Sequence, residues 1–396
     1  MKRSILIILI LKLYFPLYSQ GGLSAVPFLS LQQSPLLQSA GQIGAAIPSN
    51  DALGFYFNPA NLGYSSKENQ TSYFMMPDKA KWLRYYGISL NTYGFNLGYN
   101  FEKKDSTLPI SVGLGFIHNI IKYGGVSEDY FNCFSIGASF NYLLLFNLGF
   151  SIKPFNSKLS IDPVTNKSYE ASGTAYDFGF LVIAPVSELF FTNIKYAIDE
   201  NLFIKPSFTF STGTSITNIG KEIYYVSPSQ SDPIPRTARL GYNFSLGFDL
   251  LYNQYKLSLF NYSFTAEAED ILIKTDASSH FRYQGYLNDL KFGENLVALK
   301  GDQKILVHKG HIFRLFETII ITSGRINGGG YNRKSNGIGV SSEGIFKSLS
   351  MIIQNPLLNF FTNHFTFEYY NTNIFTDTNN ESNFNGLAFY LKNISF

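Results

Sequence analysis

The chain has 396 residues, with 31 Lys and Arg against 28 Asp and Glu, so its charge is almost balanced. This balance, without a basic block, argues against a nucleic-acid partner. Charged residues make up only 15% of the chain, below the roughly 25% of a typical soluble domain, whereas aromatic residues reach 17%. The single cysteine, Cys133, excludes an internal disulfide and a thiolate zinc cluster, and we expect it to be a small apolar filler.

Residues 1–19 have the pattern of a secretory signal peptide. Lys2 and Arg3 precede the apolar run Ile5–Leu11, and we predict cleavage after the small residue Ser19. The segment is shorter than the roughly 20 apolar residues of a membrane-spanning helix, although an N-terminal membrane anchor is the alternative. No cysteine follows the predicted cut directly, so we do not expect a lipoprotein.

Apolar residues alternate with small or polar residues along much of the chain. The clearest run places Leu240, Tyr242, Phe244, Leu246, Phe248 and Leu250 on one face of a strand. The other face then carries Arg239, Gly241, Asn243, Ser245, Gly247 and Asp249. Similar runs begin near residues 93, 110, 136, 148, 178, 208, 255, 365 and 387.

Two architectures fit this alternation. A membrane barrel would turn the apolar face to lipid and the polar face to its lumen, and a soluble sandwich would show the same period. We favour the barrel because the chain is poor in charge and rich in aromatic residues. The alternating end at Leu387, Phe389 and Leu391, with Phe396 last, resembles the signal that the outer-membrane assembly machinery reads.

Two polar stretches are predicted to be external loops. Ser227–Pro235 contains three prolines, which a lipid-facing strand cannot accommodate, and Asp276–Lys304 forms a longer excursion. Long loops of such barrels lie on the outer side and the turns at the other end are short, so we expect partners to dock on these two segments. Helical periodicity is scarce beyond residue 80.

The motif Asn58-Pro59-Ala60 follows Asn50-Asp51-Ala52 and the aromatic run Phe55–Phe57. Together these segments resemble the N-terminal hatch of the FadL-like superfamily of outer-membrane barrels. The resemblance implies an all-β fold, a transmembrane antiparallel β-barrel of 14 strands with a hatch in the lumen. We accordingly predict a signal peptide at 1–19, a hatch at 20–70 and a barrel at 71–396.

Within that superfamily, several segments resemble the PorV/PorQ branch of the type IX secretion system. These segments are Trp82-Leu83-Arg84, Tyr176–Gly179, Thr217–Tyr225 and Pro235–Gly241. Gly324-Arg325-Ile326 departs from the branch, and the region from Phe346 onward matches it poorly. The resemblance implies an outer-membrane location in a Bacteroidetes-like, Gram-negative cell, a large translocon barrel as partner, and cargo proteins with a C-terminal sorting domain.

The sequence contains no strong catalytic or metal-binding pattern, so we expect no enzyme, cofactor or metal. His308 and His311 are three apart but have no joining Cys or carboxylate cluster, and we expect them to be plain polar residues of a loop. Ser341 and Ser342 near Glu343 lack a Gly-x-Ser-x-Gly frame. Asp177 and Asp249 fall on polar faces and should line the lumen.

Three functions stay open from the sequence, and we favour the first because Asn218-Ile219-Gly220 and Arg239-Leu240-Gly241 resemble the PorV/PorQ branch. The first is a PorV-like secretion component that docks exported cargo at the cell surface. The second is a FadL-like passive channel, in which a hydrophobic small molecule binds near the hatch and leaves sideways into outer-membrane lipid. The third is a purely structural barrel. A channel needs an apolar pocket with a few polar anchors, whereas a docking barrel needs a large exposed patch.

Overall fold

The computed structural model describes residues 24–75, 88–101, 109–123, 127–161, 168–191, 194–252, 255–275, 281–353, 355–375 and 381–393. The predicted signal peptide, the Trp82-Leu83-Arg84 segment and the terminal Phe396 lie outside these residues.

Seventeen strands account for most of the described chain. In chain order they are β1 (Thr71–Met75), β2 (Ser89–Asn100), β3 (Ile110–Lys122), β4 (Glu128–Asn141), β5 (Leu145–Ile161), β6 (Ser168–Ala184), β7 (Tyr196–Asp199), β8 (Leu202–Ile219), β9 (Thr237–Tyr252), β10 (Tyr255–Ile271), β11 (Ile273–Thr275), β12 (Phe281–Tyr283), β13 (Ile305–Leu315), β14 (Ile319–Gly328), β15 (Tyr331–Ser341), β16 (Phe365–Phe375) and β17 (Glu381–Leu391).

Fourteen of these strands, all except β7, β11 and β12, form one closed antiparallel barrel. Sequential neighbours pair around the sheet, β1 pairs with β17, and β6 pairs with β8 across the excursion that contains β7. The prediction of an all-β barrel with 14 strands is confirmed. Closure leaves no barrel strand with an unpaired edge, which is the condition for a sheet surrounded by hydrocarbon.

The alternation predicted for β9 is present in the barrel wall. Phe244, Leu246 and Phe248 are exposed on its outer face, whereas Arg239 and Asn243 are buried on the inner face. In β9 the lumen therefore receives the polar side chains. None of the helices in the described residues is long and apolar enough to cross a membrane.

The two ends of the barrel carry different connections. We call the end where β1 begins and β17 finishes the terminal end, and the opposite end the loop end. Segment 220–236 and the described parts of segment 272–304, residues 272–275 and 281–304, lie at the loop end, and the latter include a π-helical turn at Phe292–Val297. That this end faces outward stays a prediction. The tight turn Gly328–Tyr331 is also at this end.

The terminal end differs from the expectation of short turns. There β6 and β8 are joined through α3 (Val186–Phe190) and β7, and β15 and β16 are joined through a helical hairpin of α4 (Glu343–Ile352) and α5 (Pro356–His364). Helix is scarce beyond residue 80, as expected, but the sequence analysis did not locate these three helices. These helices have only 5 to 10 residues, so each offers at most three turns over which a helical period can be read.

The hatch fills the lumen with little regular structure. It contains α1 (Pro35–Ser39), α2 (Asn61–Ser65) and 3₁₀ turns at Pro27–Ser30 and Ser66–Glu68. Ser34 caps α1 by accepting a hydrogen bond from the Leu37 amide. Apolar residues of the hatch pack against the inner face of the barrel wall. For example, Phe28 of the hatch stacks on Phe131 of β4, with ring centroids 6.3 Å apart. The domain boundaries themselves stay predictions.

Candidate functional site at the hatch and barrel wall

Asn58 joins two parts of the hatch to the barrel wall. Its Nδ2 donates to the carbonyl oxygen of Ala45 at 2.6 Å and to that of Phe180 in β6 at 3.2 Å. Its Oδ1 accepts a hydrogen bond from the Ala60 amide at 3.1 Å, which forms a local turn. The side chain is fully buried, so all these bonds form away from water. The functional role predicted for the Asn58-Pro59-Ala60 motif stays a prediction.

The hatch backbone touches the wall where the wall has no side chains. On neighbouring strands, Gly113 pairs with Gly137, Gly137 with Gly149, and Gly149 with Gly179. A Cβ on any of these glycines would overlap hatch atoms at Leu62, Pro59 or Asn58. A Cβ would also overlap hatch atoms at Gly213, on the adjacent strand β8, and at Gly310 and Gly324, on the opposite part of the wall. We call these seven glycines the glycine belt, and it lets the hatch approach to backbone contact.

The Glu267 carboxylate holds the hatch by its backbone. Three consecutive amides, those of Gly44, Ala45 and Ala46, donate to Oε1 at 3.0, 2.8 and 3.0 Å. Successive backbone N–H groups that converge in this way form an anion-binding nest. Here the anion is a side chain of β10, so the nest ties the hatch to the wall.

Arg239 completes this network from β9. Its guanidinium lies 3.6 Å from Glu267, bonds Glu269, donates to the carbonyl oxygen of Gln42 at 2.6 Å, and stacks 3.9 Å above the ring of Phe57. Every charge in the group is buried beside an opposite charge, which offsets the cost of removing it from water.

A second buried ion pair lies on the neighbouring part of the wall, on β5 and β6. Lys153 in β5 lies 2.7 Å from Asp177 in β6, donates to Asn218 at 3.0 Å, and sits 4.4 Å from the ring centroid of Tyr56 in the hatch. Asn218 has a left-handed backbone conformation (φ 58°), and its backbone N–H donates a hydrogen bond to Oδ1 of Asp177. The expectation that Asp177 and Asp249 line the lumen is confirmed, since both are buried on inner faces.

Asp51 is a hatch carboxyl with one oxygen left unpaired. Its Oδ1 accepts from the Leu53 amide at 2.9 Å, whereas Oδ2 has no hydrogen-bond partner in the described chain. Burial raises the pKa of Asp51 to about 6; the Leu53 bond offsets part of this effect and the charge of Glu368 adds to it.

The two histidines are not loop residues, and that expectation is wrong. Both lie in β13, where a spacing of three places side chains on opposite faces. His308 faces the lumen, with Nε2 3.1 Å from Glu269 and Nδ1 2.8 Å from the carbonyl oxygen of Gly41. His311 bonds Tyr262 at 2.8 Å. The pair therefore cannot share one metal ion.

The described residues contain no cluster of three or more His, Cys, Asp or Glu side chains arranged to hold a metal. Glu343 pairs with Lys347 and Lys392 at 2.9 and 2.8 Å rather than serving Ser341 or Ser342 in a hydrolase-like arrangement. Cys133 is a fully buried free thiol, in keeping with its expected role as a filler.

An apolar groove of about 590 Å³ lies on the outer face of the barrel, across β4, β5, β6 and β8. Its lining includes Leu148, Phe150, Phe178 and Phe180, together with the belt positions Gly137, Gly149 and Gly179. Tyr286, from the loop-end segment 272–304, reaches this face and bonds the Thr214 hydroxyl.

The groove and the hatch motif share the same stretch of wall. Asn58 and Pro59 press on Gly149 and Gly179 from the lumen, and the groove lies against those glycines from outside. Only the sheet backbone separates them. Sequence reasoning found the hatch motif but missed the groove, because the groove depends on which strands become neighbours.

The loop 227–235 is only partly a surface segment. Residues 227–232 are exposed or half-buried, but Ile234 is fully buried against the hatch, and the carbonyl oxygen of Pro233 accepts a hydrogen bond from Ala25 at 2.9 Å. The expectation that this whole segment is a free docking loop needs correction, since its last three residues cover the hatch.

Comparisons with known proteins gave matches among solved structures alone. No protein-family model matches the sequence, and no curated protein does. Among solved structures, it resembles the CymD monoaromatic hydrocarbon channel at 10% identity, covering 91% of this chain and 97% of that one with a TM-score of 0.38. It resembles the P. putida toluene transporter TodX at 9% identity, with 92% and 99% covered and a TM-score of 0.39.

A Pseudomonas aeruginosa FadL homologue is similar at 8% identity, with 90% of this chain and 97% of that chain covered and a TM-score of 0.36.

Proposed function

We propose that this protein is an outer-membrane channel that passes a small apolar molecule through its wall into the surrounding lipid. The observation that carries the proposal is the position of the apolar groove directly behind the hatch motif, with Gly149 and Gly179 between them. A molecule released from the hatch at this level has a short path to an apolar surface outside.

A membrane location is part of the proposal, and the outer face of the wall supports it. Large apolar side chains such as Leu114, Phe134, Leu148 and Phe248 are about half exposed there, while the charged residues of the lumen are buried. An outer face of exposed apolar side chains would be unfavourable in water and is suited to contact with the hydrocarbon of a membrane. We place the loop end outward, because outer-membrane barrels carry their long loops on that side.

Passage requires the hatch to shift, since the glycine belt holds it in contact with the wall. Asn58 is the side chain that bonds both the hatch and β6 at the groove. Its removal would leave the carbonyl oxygens of Ala45 and Phe180 without that donor. We therefore expect Asn58→Ala to loosen the hatch locally and to change solute flux.

The test is uptake of N-phenyl-1-naphthylamine, whose fluorescence rises in lipid, by cells that produce the protein or each variant at equal level. We expect faster uptake with the protein than without it, and an altered rate with Asn58→Ala. The matched control is Asn50→Ala, which removes an exposed hatch asparagine. Equal uptake with and without the protein would overturn the proposal.

A role in protein secretion is a second candidate function, and it is favoured by the apolar residues exposed in the loops of the loop end. Phe292 and Val297 in segment 272–304, and Val226 in segment 220–236, are exposed at the loop end. A docking surface for exported cargo or for a translocon barrel would use such residues. Mild-detergent purification of the protein from its native membrane, followed by mass spectrometry of the proteins that accompany it, distinguishes the secretion function from the channel function. Co-purification of a very large barrel or of surface proteins sharing a C-terminal domain would favour secretion.

A further inference from the structure

The helical hairpin of α4 and α5 exposes an apolar face at the terminal end. Ile345, Leu349 and Ile352 follow each other at spacings of four and three on α4, so they share one side of the helix. Leu357 and Phe360 are three residues apart on α5 and also share one side of their helix. Ile352, Leu357 and Phe360 are 79%, 67% and 52% exposed. An apolar face of this kind is unfavourable in water.

The opposite side of the hairpin is fixed to the barrel. Glu343 pairs with Lys392 just beyond β17, and Lys347 lies 2.5 Å from Glu317 in the turn between β13 and β14. Burial alone would raise the pKa of Glu343, but Lys392 and Lys347 outweigh it and hold the pKa at about 2. The Tyr255 hydroxyl in β10 also donates to Asn359 at 2.8 Å. These bonds prevent the apolar face from turning inward.

The apolar face continues the outer surface of the barrel without a break. Ring centroids lie 5.3 Å apart between Phe361 and Phe365, 5.9 Å between Phe365 and Phe389, and 5.1 Å between Phe389 and Phe367. Phe367 is an exposed residue on the outer face of β16. The aromatic row thus leads from α5 onto the barrel surface that we assign to lipid.

We propose that the hairpin lies in the interfacial layer of the membrane, with its apolar face against the acyl chains of the leaflet at the terminal end. The occupant of this face is lipid, because the face is continuous with the outer wall and fixed beside it. Amphipathic helices bind in this way, lying in the interface plane with one face at the boundary of headgroups and acyl chains. The proposal goes beyond solute passage and can fail while uptake stands.

Tryptophan fluorescence in lipid vesicles tests the placement. The chain has one tryptophan, Trp82, so a Trp82→Phe background allows a single reporter at Leu357→Trp or at Phe360→Trp. Both substitutions keep an apolar side chain, and heat-modifiable migration on gels verifies that each variant folds. The matched control is Val226→Trp, at an exposed position in the loop-end segment 220–236.

The folded full-length protein is inserted into phosphatidylcholine vesicles that contain lipid brominated either near the headgroup end or near the middle of the acyl chain. We expect bromine near the headgroup end to quench both hairpin reporters several-fold more than the control, and more than bromine at mid-chain. Quenching no stronger than that of the control would place the hairpin in water and overturn the proposal. Stronger quenching by mid-chain bromine would also overturn the interfacial placement.

Discussion

Asn58 in the hatch and Gly179 in β6 are in direct contact, so close that a Cβ atom on Gly179 would overlap Oδ1 of Asn58. The same asparagine bonds the carbonyl oxygen of Phe180, the next residue in the wall. The contact needs both a glycine in the wall and an amide in the hatch. It places the hatch motif behind the outer groove and makes the wall glycines the most sensitive positions of the site.

Alanine at two belt positions should therefore destabilise the protein to different degrees. In Gly149→Ala the new Cβ meets the backbone of Pro59 and Ala60, whereas in Gly179→Ala it meets only side-chain atoms, the Asn58 amide and Cδ of the Pro59 ring. We expect a cost of about 1–3 kcal/mol for forcing extra volume into this contact, larger for Gly149→Ala. The measurement is the guanidinium midpoint of the protein in lipid vesicles.

Gly285→Ala is the control for this pair, since no atom lies within 4 Å of a Cβ added there. It should leave the midpoint unchanged. If Gly149→Ala were as stable as the Gly285→Ala control, the hatch would not be held against the wall as described.

The buried pair of Lys153 and Asp177 should be costly to break from one side. Lys153→Met leaves the Asp177 carboxylate buried without its cation, for which we expect a loss of about 3–5 kcal/mol. Adding Asp177→Asn removes the stranded charge and should restore part of the loss. The free energy of unfolding of the single and double variants, measured in vesicles, checks both expectations.

Lys291→Met tests the same change at an exposed ion pair. Its ammonium lies 3.4 Å from Glu294 and is largely exposed, so we expect a loss of about 1 kcal/mol or less. A double variant no more stable than Lys153→Met would show that the stranded charge is not the source of the loss.

The outer wall and the hatch motif were predictable from the sequence, because both depend on local pattern. Alternation along Leu240–Leu250 requires only that the strand be two-sided, and Asn58-Pro59 is a contiguous motif. The buried charges were not predictable, since Arg239 meets Glu269 only through the register of β9 on β10. A shift of one residue would turn either side chain outward. His308 was missed for the same reason.

The loop 227–235 should tolerate shortening only on its exposed side. Deleting Ser227–Asp232 removes residues outside the hatch contact, so folding and heat-modifiable migration should persist. Ile234→Ala creates a cavity beside the hatch, because Ile234 is fully buried, and we expect a loss of about 2–5 kcal/mol. Guanidinium midpoints of both variants in vesicles are the measurement. A larger loss for the deletion than for Ile234→Ala would contradict this division of the loop.

Asp51 should make the protein less stable at high pH than at low pH. Its pKa is raised from 3.8 to about 6 in the folded protein, so the folded state binds the proton more tightly than the unfolded state. Stability from this group is complete below about pH 4 and is lost as the pH rises through 6. Asp51→Asn has no charge to bury. We therefore expect it to gain about 2–3 kcal/mol over the native protein at pH 8 and nothing at pH 4.

Guanidinium midpoints of the native protein and of Asp51→Asn, measured in vesicles from pH 4 to pH 8, check this expectation. Asp232→Asn is the control, because Asp232 is exposed in the loop 220–236 and its replacement should leave the difference between pH 4 and pH 8 as it is. An equal gain for Asp51→Asn at both pH values would assign the effect to packing or hydrogen bonding of the amide. In that case the buried carboxylate would not be the source of the lower stability at high pH.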